Sequence, residues 1–251
     1  MAQTARAKPF ALEFLLDDSS VSRDIKATGF YEQFETGIIM QWVKRGYTAV
    51  DVGAHIGYYT LILSRLVEDI GKVFAFEPSV ENYELLQKNV DLNKCSNVFI
   101  EQMVVSDKTG KTCLYLNGEN KADNRISKIE KSLSIDVNCV RLDDYFRRYD
   151  SKIGFIKLDI QGAELKALQG MGCLLEKNED VKLLIEFWPY GLRQCDSDPK
   201  ELLDLLLGHG FQVFAAIKHK WKLERVDAPH VFLESFSRHT GAFTNLLCKR
   251  H

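Results

Sequence analysis

The chain alternates between short apolar runs and longer segments with helical spacing of their apolar residues. The apolar runs that can each form a buried strand are residues 49–52, 73–76, 98–105, 155–160, 181–187, 211–216 and 243–249. The main segments with helical spacing are residues 58–67, 81–93, 162–171 and 199–208. Strands that alternate with helices are typical of a parallel sheet with right-handed crossovers. The pattern predicts an α/β fold with a seven-stranded, mostly parallel sheet, helices on both faces and a last strand that runs antiparallel.

Two segments depart from this alternation. Residues 112–116 and 133–142 have the character of strands and flank a polar loop, which predicts an inserted β-hairpin. Residues 31–45 have mixed helical spacing and end at Gly46, which predicts an amphipathic helix before the sheet. We therefore expect residues 1–46 to form a helical lid segment at the entrance of the site. Residues 47–251 are expected to form a single globular domain.

The first predicted strand runs into a glycine turn that contains Asp51, Gly53, Ala54, His55 and Gly57, and a predicted helix follows. A strand, a glycine turn and a helix in this order are the usual seat of a nucleotide-like cofactor. In a dinucleotide-binding turn the first glycine would stand at the position of Asp51. A carboxylate at that position repels phosphate and attracts an ammonium group or orients a sulfonium-bearing amino acid.

The next predicted strand ends at Glu77 and Pro78, roughly 20 residues beyond the turn, which is the spacing of acids that bind a ribose. The Glu77 carboxylate can accept both ribose hydroxyl groups. Together with Asp51, it predicts S-adenosylmethionine as the cofactor, since no diphosphate has to be accommodated. The alternative is an ordinary parallel-sheet unit in which these acids cap helices.

Five motifs resemble a known family when they are taken in order. They are VDVGAHIGYYT, FAFEP, VRLDDYF, FIKLDIQGAELKALQGM and LLIEFW. The chain resembles, over roughly residues 30–250, the FkbM-type family of S-adenosylmethionine-dependent methyltransferases. The resemblance implies a Rossmann-like class I methyltransferase fold and methylation of hydroxyl groups on sugars or natural products. His55 departs from the family, whose sequences commonly carry Asn at this position.

Ligands of open α/β sheets lie outside the carboxyl ends of the strands, so the residues after each apolar run are the candidates for the site. The expected cofactor-binding residues are Asp51, Gly53, Ala54, His55, Gly57, Tyr58, Glu77, Pro78, Ser106, Asp107 and Asp159. Ser106 and Asp107 follow the third predicted strand, where related enzymes meet the adenine, but a plain turn explains them equally. Tyr58 is either a wall of the cofactor site or a core residue.

Asp159 and Glu186 are the candidate catalytic residues. A sugar hydroxyl is a poor nucleophile near neutral pH, so a base has to remove its proton during attack on the methyl group. Asp159 could instead cap the following helix, whereas Glu186 lies at the end of a buried strand and needs a partner there. A divalent cation held by these acids is a rival hypothesis, but the sequence has no diagnostic metal spacing, so we expect no metal.

Candidate residues for the methyl acceptor come from the first predicted helix, the inserted loop and the end of the fifth strand. They are Glu32, Arg125, Ser127 and Trp188. The expected acceptor is a small molecule or a glycan. For Arg125 and Ser127, a solvated hairpin loop is the favoured explanation, because any exposed loop contains such residues.

Composition narrows the class of protein. The 251 residues are 45% hydrophobic, which is enough for one sizeable core, and the net charge of −2 argues against a protein that binds polymeric nucleic acid. The six cysteines contain no Cys-x-x-Cys pair, and no apolar stretch has the length of a membrane span, so we expect a cytoplasmic enzyme. Two alternatives remain: a module that binds S-adenosylmethionine without catalysis, and a nicotinamide-dependent oxidoreductase, which Asp51 disfavours.

Overall fold

The structure is a computed structural model that describes residues 4–17, 19–116, 133–236 and 241–250. Its strands are β1 Thr4–Ala7, β2 Leu12–Leu15, β3 Thr48–Val52, β4 Lys72–Phe76, β5 Val98–Glu101, β6 Val104–Val105, β7 Gly110–Leu116, β8 Leu133–Val140, β9 Ile153–Leu158, β10 Lys182–Phe187, β11 Gln212–Ile217, β12 Lys222–Arg225 and β13 Thr244–Lys249. Its α-helices are α1 Ser20–Thr28, α2 Gln33–Trp42, α3 Tyr58–Val67, α4 Val80–Leu92, α5 Leu142–Tyr145, α6 Glu164–Gln169, α7 Gly172–Lys177, α8 Pro189–Gln194, α9 Pro199–Gly208 and α10 Pro229–Glu234. Arg125 and Ser127 lie outside the described residues.

The main sheet has the strand order β12-β11-β13-β10-β9-β3-β4-β5. Strands β10, β9, β3, β4 and β5 are parallel to their neighbours in this series, and β13 is antiparallel to both β10 and β11. The α/β class, the mostly parallel sheet and the antiparallel last strand are confirmed. The strand count is corrected from seven to eight, because β12 adds an edge strand antiparallel to β11. Its sequence, Lys-Leu-Glu-Arg, lacks the apolar run that marks the other strands.

The alternating side chains of the central strands fill two apolar layers, one on each face of the sheet. Val50, Ile156 and Leu183 belong to one layer, whereas Ala49 and Phe155 belong to the other. Strands that are buried on both faces have nearly continuous apolar sequences. This burial explains why β3, β9 and β10 are readily recognised in the sequence.

The inserted hairpin is confirmed as strands β7 and β8, which pair antiparallel. Its surroundings differ from the prediction, since the single strand expected at residues 98–105 is two strands. β5 joins the main sheet, while Val104 and Val105 form β6, which pairs with β8 in a separate three-stranded sheet. The chain changes sheet between β5 and β6, and a continuous apolar run does not reveal such a change.

The N-terminal strands β1 and β2 form an antiparallel hairpin that the sequence did not predict. Asn89 on α4 attaches it to the main domain, since its Oδ1 accepts a hydrogen bond from Leu15 N at 2.6 Å. Its Nδ2 donates to Ile56 O at 2.8 Å, inside the glycine turn. One buried amide side chain therefore joins the N-terminal hairpin to the turn that follows β3.

Replacing Asn89 by Ala is expected to lower the free energy of unfolding by roughly 1 to 3 kcal/mol, because it removes the partner of the buried Ile56 carbonyl and of the partly buried Leu15 N–H. Urea unfolding of the variant measures this loss. Lys88→Ala changes the neighbouring residue, whose side chain is 60% exposed. It should stay within about 0.5 kcal/mol of the original protein. Equal stabilities for the two variants would contradict the role of Asn89.

Candidate active site

The carboxyl ends of four neighbouring strands meet at one edge of the main sheet. Val52 lies opposite both Phe76 and Leu158, and Leu158 lies opposite Ile185. The residue after each of these positions therefore falls on the same edge: Gly53, Glu77, Asp159 and Glu186. A cleft with an empty volume of about 920 Å³ opens here, and it is lined by the glycine turn, Glu77 and Asp159 together with residues of α1, α3 and β6.

The turn after β3 approaches β9 so closely that only glycine fits at its first bend. Gly53 has a φ of +82°, and a Cβ atom on it would lie 1.9 Å from the carbonyl oxygen of Asp159. Gly57, with a φ of +92°, has similarly little room, since its Cβ would lie 2.6 Å from Leu86 Cδ1. The close approach places the backbone of the turn beside the functional end of β9.

Asp51 lies within β3 and is fully buried. Its Oδ2 accepts a hydrogen bond from Thr60 Oγ1 at 2.6 Å, while its Oδ1 has no hydrogen-bond partner among the described residues. Burial raises the pKa of Asp51, and the nearby Lys157 opposes this rise. Asp51 supports the turn from inside the sheet and does not belong to the described lining of the cleft.

The Glu77 carboxylate lines the cleft, with hydrogen bonds to both of its oxygens. Oε2 accepts from the backbone N–H of His55 at 2.8 Å, and Oε1 accepts from Ser79 N at 3.0 Å and from Asn82 Nδ2 at 3.4 Å. Burial raises the pKa of Glu77 to about 7, although these hydrogen bonds favour the ionised form. Pro78, Ala54 and Tyr58 also line the cleft.

His55 also lines the cleft, and it has a left-handed backbone with a φ of 51°. Its Nε2 lies 3.6 Å from Asp17 Oδ2, and neither ring nitrogen makes a hydrogen bond with the residues that the structure describes. Burial lowers the pKa of His55, so the imidazole is neutral near pH 7. Burial alone would raise the pKa of Asp17, but hydrogen bonds from Ser19 and Ser22 lower it. Asp17 was absent from the predicted site because only the folded N-terminal hairpin brings it to the turn.

Asp159 and Glu186 are brought together through a residue that lies between them. Gln161 Nε2 donates to Asp159 Oδ1 and to Glu186 Oε2, both at 3.1 Å. The other oxygen of Asp159 pairs with Lys157 Nζ at 2.9 Å. Gln161 has a φ of 55°, an uncommon backbone conformation that clusters at functional sites. We refer to Lys157, Asp159, Gln161 and Glu186 as the acid cluster.

Burial and neighbouring charges act differently on the pKa values of Glu186 and Lys157 in the acid cluster. Burial, with Asp159 and Glu164 nearby, raises the pKa of Glu186 well above its usual range. Burial would lower the pKa of Lys157, but Asp159 and Asp51 raise it, so the lysine is a cation.

Glu164 is fully buried at the start of α6, where it accepts hydrogen bonds from the backbone N–H groups of Ile160 and Gly162 at 3.0 and 3.1 Å. Burial raises the pKa of Glu164 to about 7.

An aromatic wall borders the acid cluster. Tyr31 and Tyr59 line the cleft, and Lys157 Nζ lies 4.5 Å from the centre of the Tyr59 ring. The Tyr59 hydroxyl donates to Glu32 Oε2 at 2.9 Å, and Lys218 Nζ pairs with Glu32 Oε1 at 2.9 Å. Glu32, an expected acceptor residue, therefore stands directly behind the tyrosines that line the cleft.

Several predicted site residues lie away from the cleft. The Ser106 hydroxyl bonds Asp107 Oδ1 at 2.9 Å, and neither residue belongs to the described lining. The lining at that place is apolar instead and consists of Met103, Val104 and Val105. Trp188 packs on Gly191, where an added Cβ would lie 2.1 Å from the indole ring, and it does not line the cleft either.

The candidate catalytic, cofactor-binding and acceptor residues named above do not include Lys157, Gln161 or Tyr31. Lys157 could have been recognised from the sequence as a candidate, since it is a charged residue within an otherwise apolar strand, as Glu186 is. Gln161 is polar and follows a strand end, but its contact with both acids depends on the left-handed turn. Tyr31 precedes α2, and its approach to the cleft depends on the packing of the N-terminal segment.

Within the described ranges, no group of three or more His, Cys, Asp or Glu side chains is arranged to hold a metal ion. No helix in the part of the chain that the structure describes is both long and apolar enough to cross a membrane.

The residues at the cleft fit an adenosyl group with an attached amino acid better than a dinucleotide. Glu77 offers a carboxylate for ribose hydroxyls, and residues 103–105 offer an apolar face for a base. Asp159 offers a negative charge for an ammonium or a sulfonium group. A diphosphate would meet Glu77 and Asp159 in a cleft whose one described lysine, Lys157, is already paired with Asp159.

The chain was compared with known proteins. The family model described as "Methyltransferase FkbM domain" matches residues 51–213. Methyltransferase sdnD of Sordaria araneosa is 30% identical over 182 residues, which cover 57% of this chain and 68% of that protein. Methyltransferase 1 of Beauveria bassiana is 24% identical over 143 residues, which cover 49% of this chain and 57% of that protein.

Among solved structures, the precorrin-6y C5,15-methyltransferase of Geobacter metallireducens has a similar fold, with a TM-score of 0.51 at 9% sequence identity. The match covers 94% of this chain and 95% of that one. At this identity the likeness concerns the fold alone, and it agrees with the Rossmann-like sheet described above. The family match, the fold and the cleft confirm the resemblance that the sequence motifs indicated. The chain belongs to the FkbM family of S-adenosylmethionine-dependent methyltransferases.

Proposed function

We propose that this chain transfers a methyl group from S-adenosylmethionine to a hydroxyl group of a sugar, a glycan or a small natural-product metabolite. The observation that carries the proposal is the acid cluster, in which Gln161 Nε2 lies 3.1 Å from both Asp159 and Glu186 beside the cofactor cleft. Two carboxylates at this edge of the sheet provide a proton acceptor and a group that orients the hydroxyl.

In the proposed arrangement each part of the cofactor meets a different strand end. Glu77 accepts the ribose hydroxyls, and the apolar residues 103–105 face the adenine. The turn residues Gly53, Ala54 and Gly57 would let the backbone approach the amino-acid part of the cofactor. His55 and Tyr58 line the same region of the cleft. The bound cofactor supplies an electrophilic methyl group. Asp51 acts from inside the sheet, through its hydrogen bond with Thr60 and its charge beside Lys157.

Glu186 is the proposed general base, and Asp159 orients the acceptor. Burial and neighbouring acids raise the pKa of Glu186, which makes its ionised form a stronger base than an ordinary glutamate. Asp159 keeps one oxygen on Lys157 and the other on Gln161, so its carboxylate is held in place for a hydrogen bond with the acceptor. Holding the acceptor in line with the methyl group contributes the larger part of the rate gain.

The N-terminal segment is proposed as a lid over the cofactor, since Val21 and Tyr31 from residues 1–46 line the cleft. Glu32 supports the acceptor side of this lid through Tyr59. A module that binds the cofactor without catalysis would keep the turn and Glu77 but would not need a base with a raised pKa. A nicotinamide-dependent oxidoreductase is disfavoured by the carboxylates that border the cleft.

S-Adenosylhomocysteine is expected to bind the purified chain with an affinity that rises with pH and levels off above about pH 7. The pKa of Glu77 is about 7 in the folded chain, so the ionised carboxylate that accepts ribose hydroxyls is lost as the pH falls through that value. Glu77→Gln should weaken binding about 10-fold to 100-fold and remove most of this pH dependence. Isothermal titration calorimetry between about pH 6 and about pH 8 measures both effects.

NADH serves as the competing ligand in this experiment, and Lys220→Met serves as a control variant at an exposed lysine. NADH binding without S-adenosylhomocysteine binding would contradict the cofactor assignment. Equal pH dependence in the original chain and in Glu77→Gln would remove Glu77 from the ribose site.

Glu186→Gln and Asp159→Asn are each expected to lower kcat by about 100-fold to 10,000-fold, because one removes the base and the other removes the orienting charge. Both variants should keep the original affinity for S-adenosylhomocysteine within about threefold. The assay follows transfer of a labelled methyl group to acceptors from a panel of sugars, glycans and hydroxylated metabolites. Undiminished turnover in both variants would refute the proposed roles, and turnover with none of the acceptors would favour the non-catalytic module.

The pH profile gives a separate test of the base. Since Glu186 has to be ionised to accept a proton, kcat/KM should rise with pH through a midpoint above the ordinary range of a glutamate. Glu186→Asp should keep a rising limb at reduced rate, whereas Glu186→Gln should lose it. A profile with the same limb in Glu186→Gln would assign the titration to another group.

A further inference from the structure

Lys218 lies outside the described lining of the cleft and forms ion pairs with two glutamates, Glu32 and Glu35. It follows β11, and its Nζ lies 2.9 Å from Glu32 Oε1 and 3.0 Å from Glu35 Oε1. Glu35 is almost fully buried and also accepts from Asn245 Nδ2 at 3.0 Å. One lysine at the end of β11 therefore joins the start of α2 to the last strand of the sheet.

Glu32 connects Lys218 to a residue that lines the cleft, Tyr59. Its second oxygen, Oε2, accepts a hydrogen bond from the Tyr59 hydroxyl at 2.9 Å, and Tyr59 lines the cleft. Glu32 has a left-handed backbone with a φ of 40°, which is uncommon for a non-glycine residue and requires support from its surroundings. The ion pair with Lys218 and the hydrogen bond with Tyr59 provide that support from opposite sides.

The turn that carries Lys218 is anchored at its other end as well. Trp221 closes the turn with a φ of 50°, and its ring meets the edge of Phe34 at 5.6 Å between centroids. Lys218 Nζ also lies 4.9 Å from the centre of the Phe243 ring. The turn is therefore held on α2 by an ion pair at its start and by an aromatic contact at its end.

We propose that Lys218 is a positioning residue for methyl transfer, which holds the Glu32 carboxylate in its hydrogen bond with Tyr59 so that the wall formed by Glu32 and Tyr59 keeps one arrangement. The proposal deepens the proposed function and rests on it for the consequences in turnover. The link from Lys218 to Glu32 and Tyr59 can be tested in the free protein.

The charges around Glu32 determine what loss of the lysine does. Burial, with Asp159 and Glu35 nearby, raises the pKa of Glu32 above its ordinary value, and Lys218 is the cation that opposes this rise. Tyr59 donates a hydrogen bond to the same carboxylate. Without Lys218, Glu32 would take up a proton at a higher pH than in the original chain. A protonated Glu32 is a weaker acceptor for the Tyr59 hydroxyl, since hydrogen bonds to charged acceptors are about twice as strong as neutral ones.

The test is a carboxyl-carbon NMR titration of glutamate-labelled protein, with the Glu32 signal assigned from Glu32→Gln. Lys218→Met and Lys218→Gln should each move the Glu32 titration midpoint upward by about one to three pH units, whereas Lys218→Arg should leave it near its original value. Lys220→Met, at an exposed lysine of the same turn, should not move it. Thermal unfolding of each variant shows whether the protein is folded, and the two neutral variants provide independent measurements.

The consequence for turnover is measured with the acceptor found above. In Lys218→Met, KM for the acceptor should rise at least about 10-fold, and more strongly at low pH, while affinity for S-adenosylhomocysteine stays unchanged. A merely structural role would lower activity equally at every pH and would not be rescued by Lys218→Arg. An unmoved Glu32 midpoint in both neutral variants overturns the proposal even if methyl transfer is found. A moved midpoint without turnover on any acceptor would uphold the Lys218 link and count against the proposed function instead.

Discussion

The ion pair between Lys157 and Asp159 is the interaction on which the arrangement of this site depends. Lys157 is 3% exposed and lies in β9, the strand between β3 and β10. Its charge compensates Asp159 at 2.9 Å and also Asp51, which is fully buried in β3. Removing one partner of a buried pair commonly costs about 3 to 5 kcal/mol, because the other charge is left uncompensated. Lys157 therefore compensates two aspartates, Asp159 and Asp51, that would otherwise keep uncompensated charges at or next to this edge of the sheet.

The same arrangement separates the two halves of the site. The cofactor half is made mostly by backbone, since the bend at Gly53 and the N–H groups that bind Glu77 follow from the turn and from the parallel register. The half proposed for the acceptor is made by side chains that come from distant parts of the chain, such as Glu32, Gln161 and Glu186. Methyltransferases that share a cofactor can differ in their acceptors for this reason, because fold and cofactor do not fix the second substrate.

This difference explains how much could be predicted from the sequence. The fold class, the inserted hairpin, the buried strands and the place of Gly53 and Glu77 follow from local signals, and the structure agrees with them. The edge strand β12 was not predicted because its charged sequence resembles an exposed turn. Ser106 and Asp107 were expected at the cleft because the strand before them was taken to continue in the main sheet. Their predicted role in cofactor binding receives no support from their position.

The acceptor half was harder to predict because its contacts span large distances in sequence. Lys218 and Glu32 are 186 residues apart, and no local pattern connects them. Gln161 contacts both Asp159 and Glu186 because its backbone is left-handed, and no sequence pattern predicts this conformation. His55 stands 3.6 Å from Asp17, a residue of the N-terminal segment that only the folded hairpin brings near. Such contacts depend on tertiary packing and become visible only once the elements are assembled.

The most direct test of the proposed site is a crystal structure of the chain with S-adenosylhomocysteine. We expect the ribose hydroxyls to lie within hydrogen-bond distance of Glu77. We also expect the sulfur to face the side of the cleft where Gln161 joins Asp159 to Glu186. A ligand bound elsewhere, or a sulfur atom directed away from these two acids, would contradict the assignment of the acid cluster to methyl transfer.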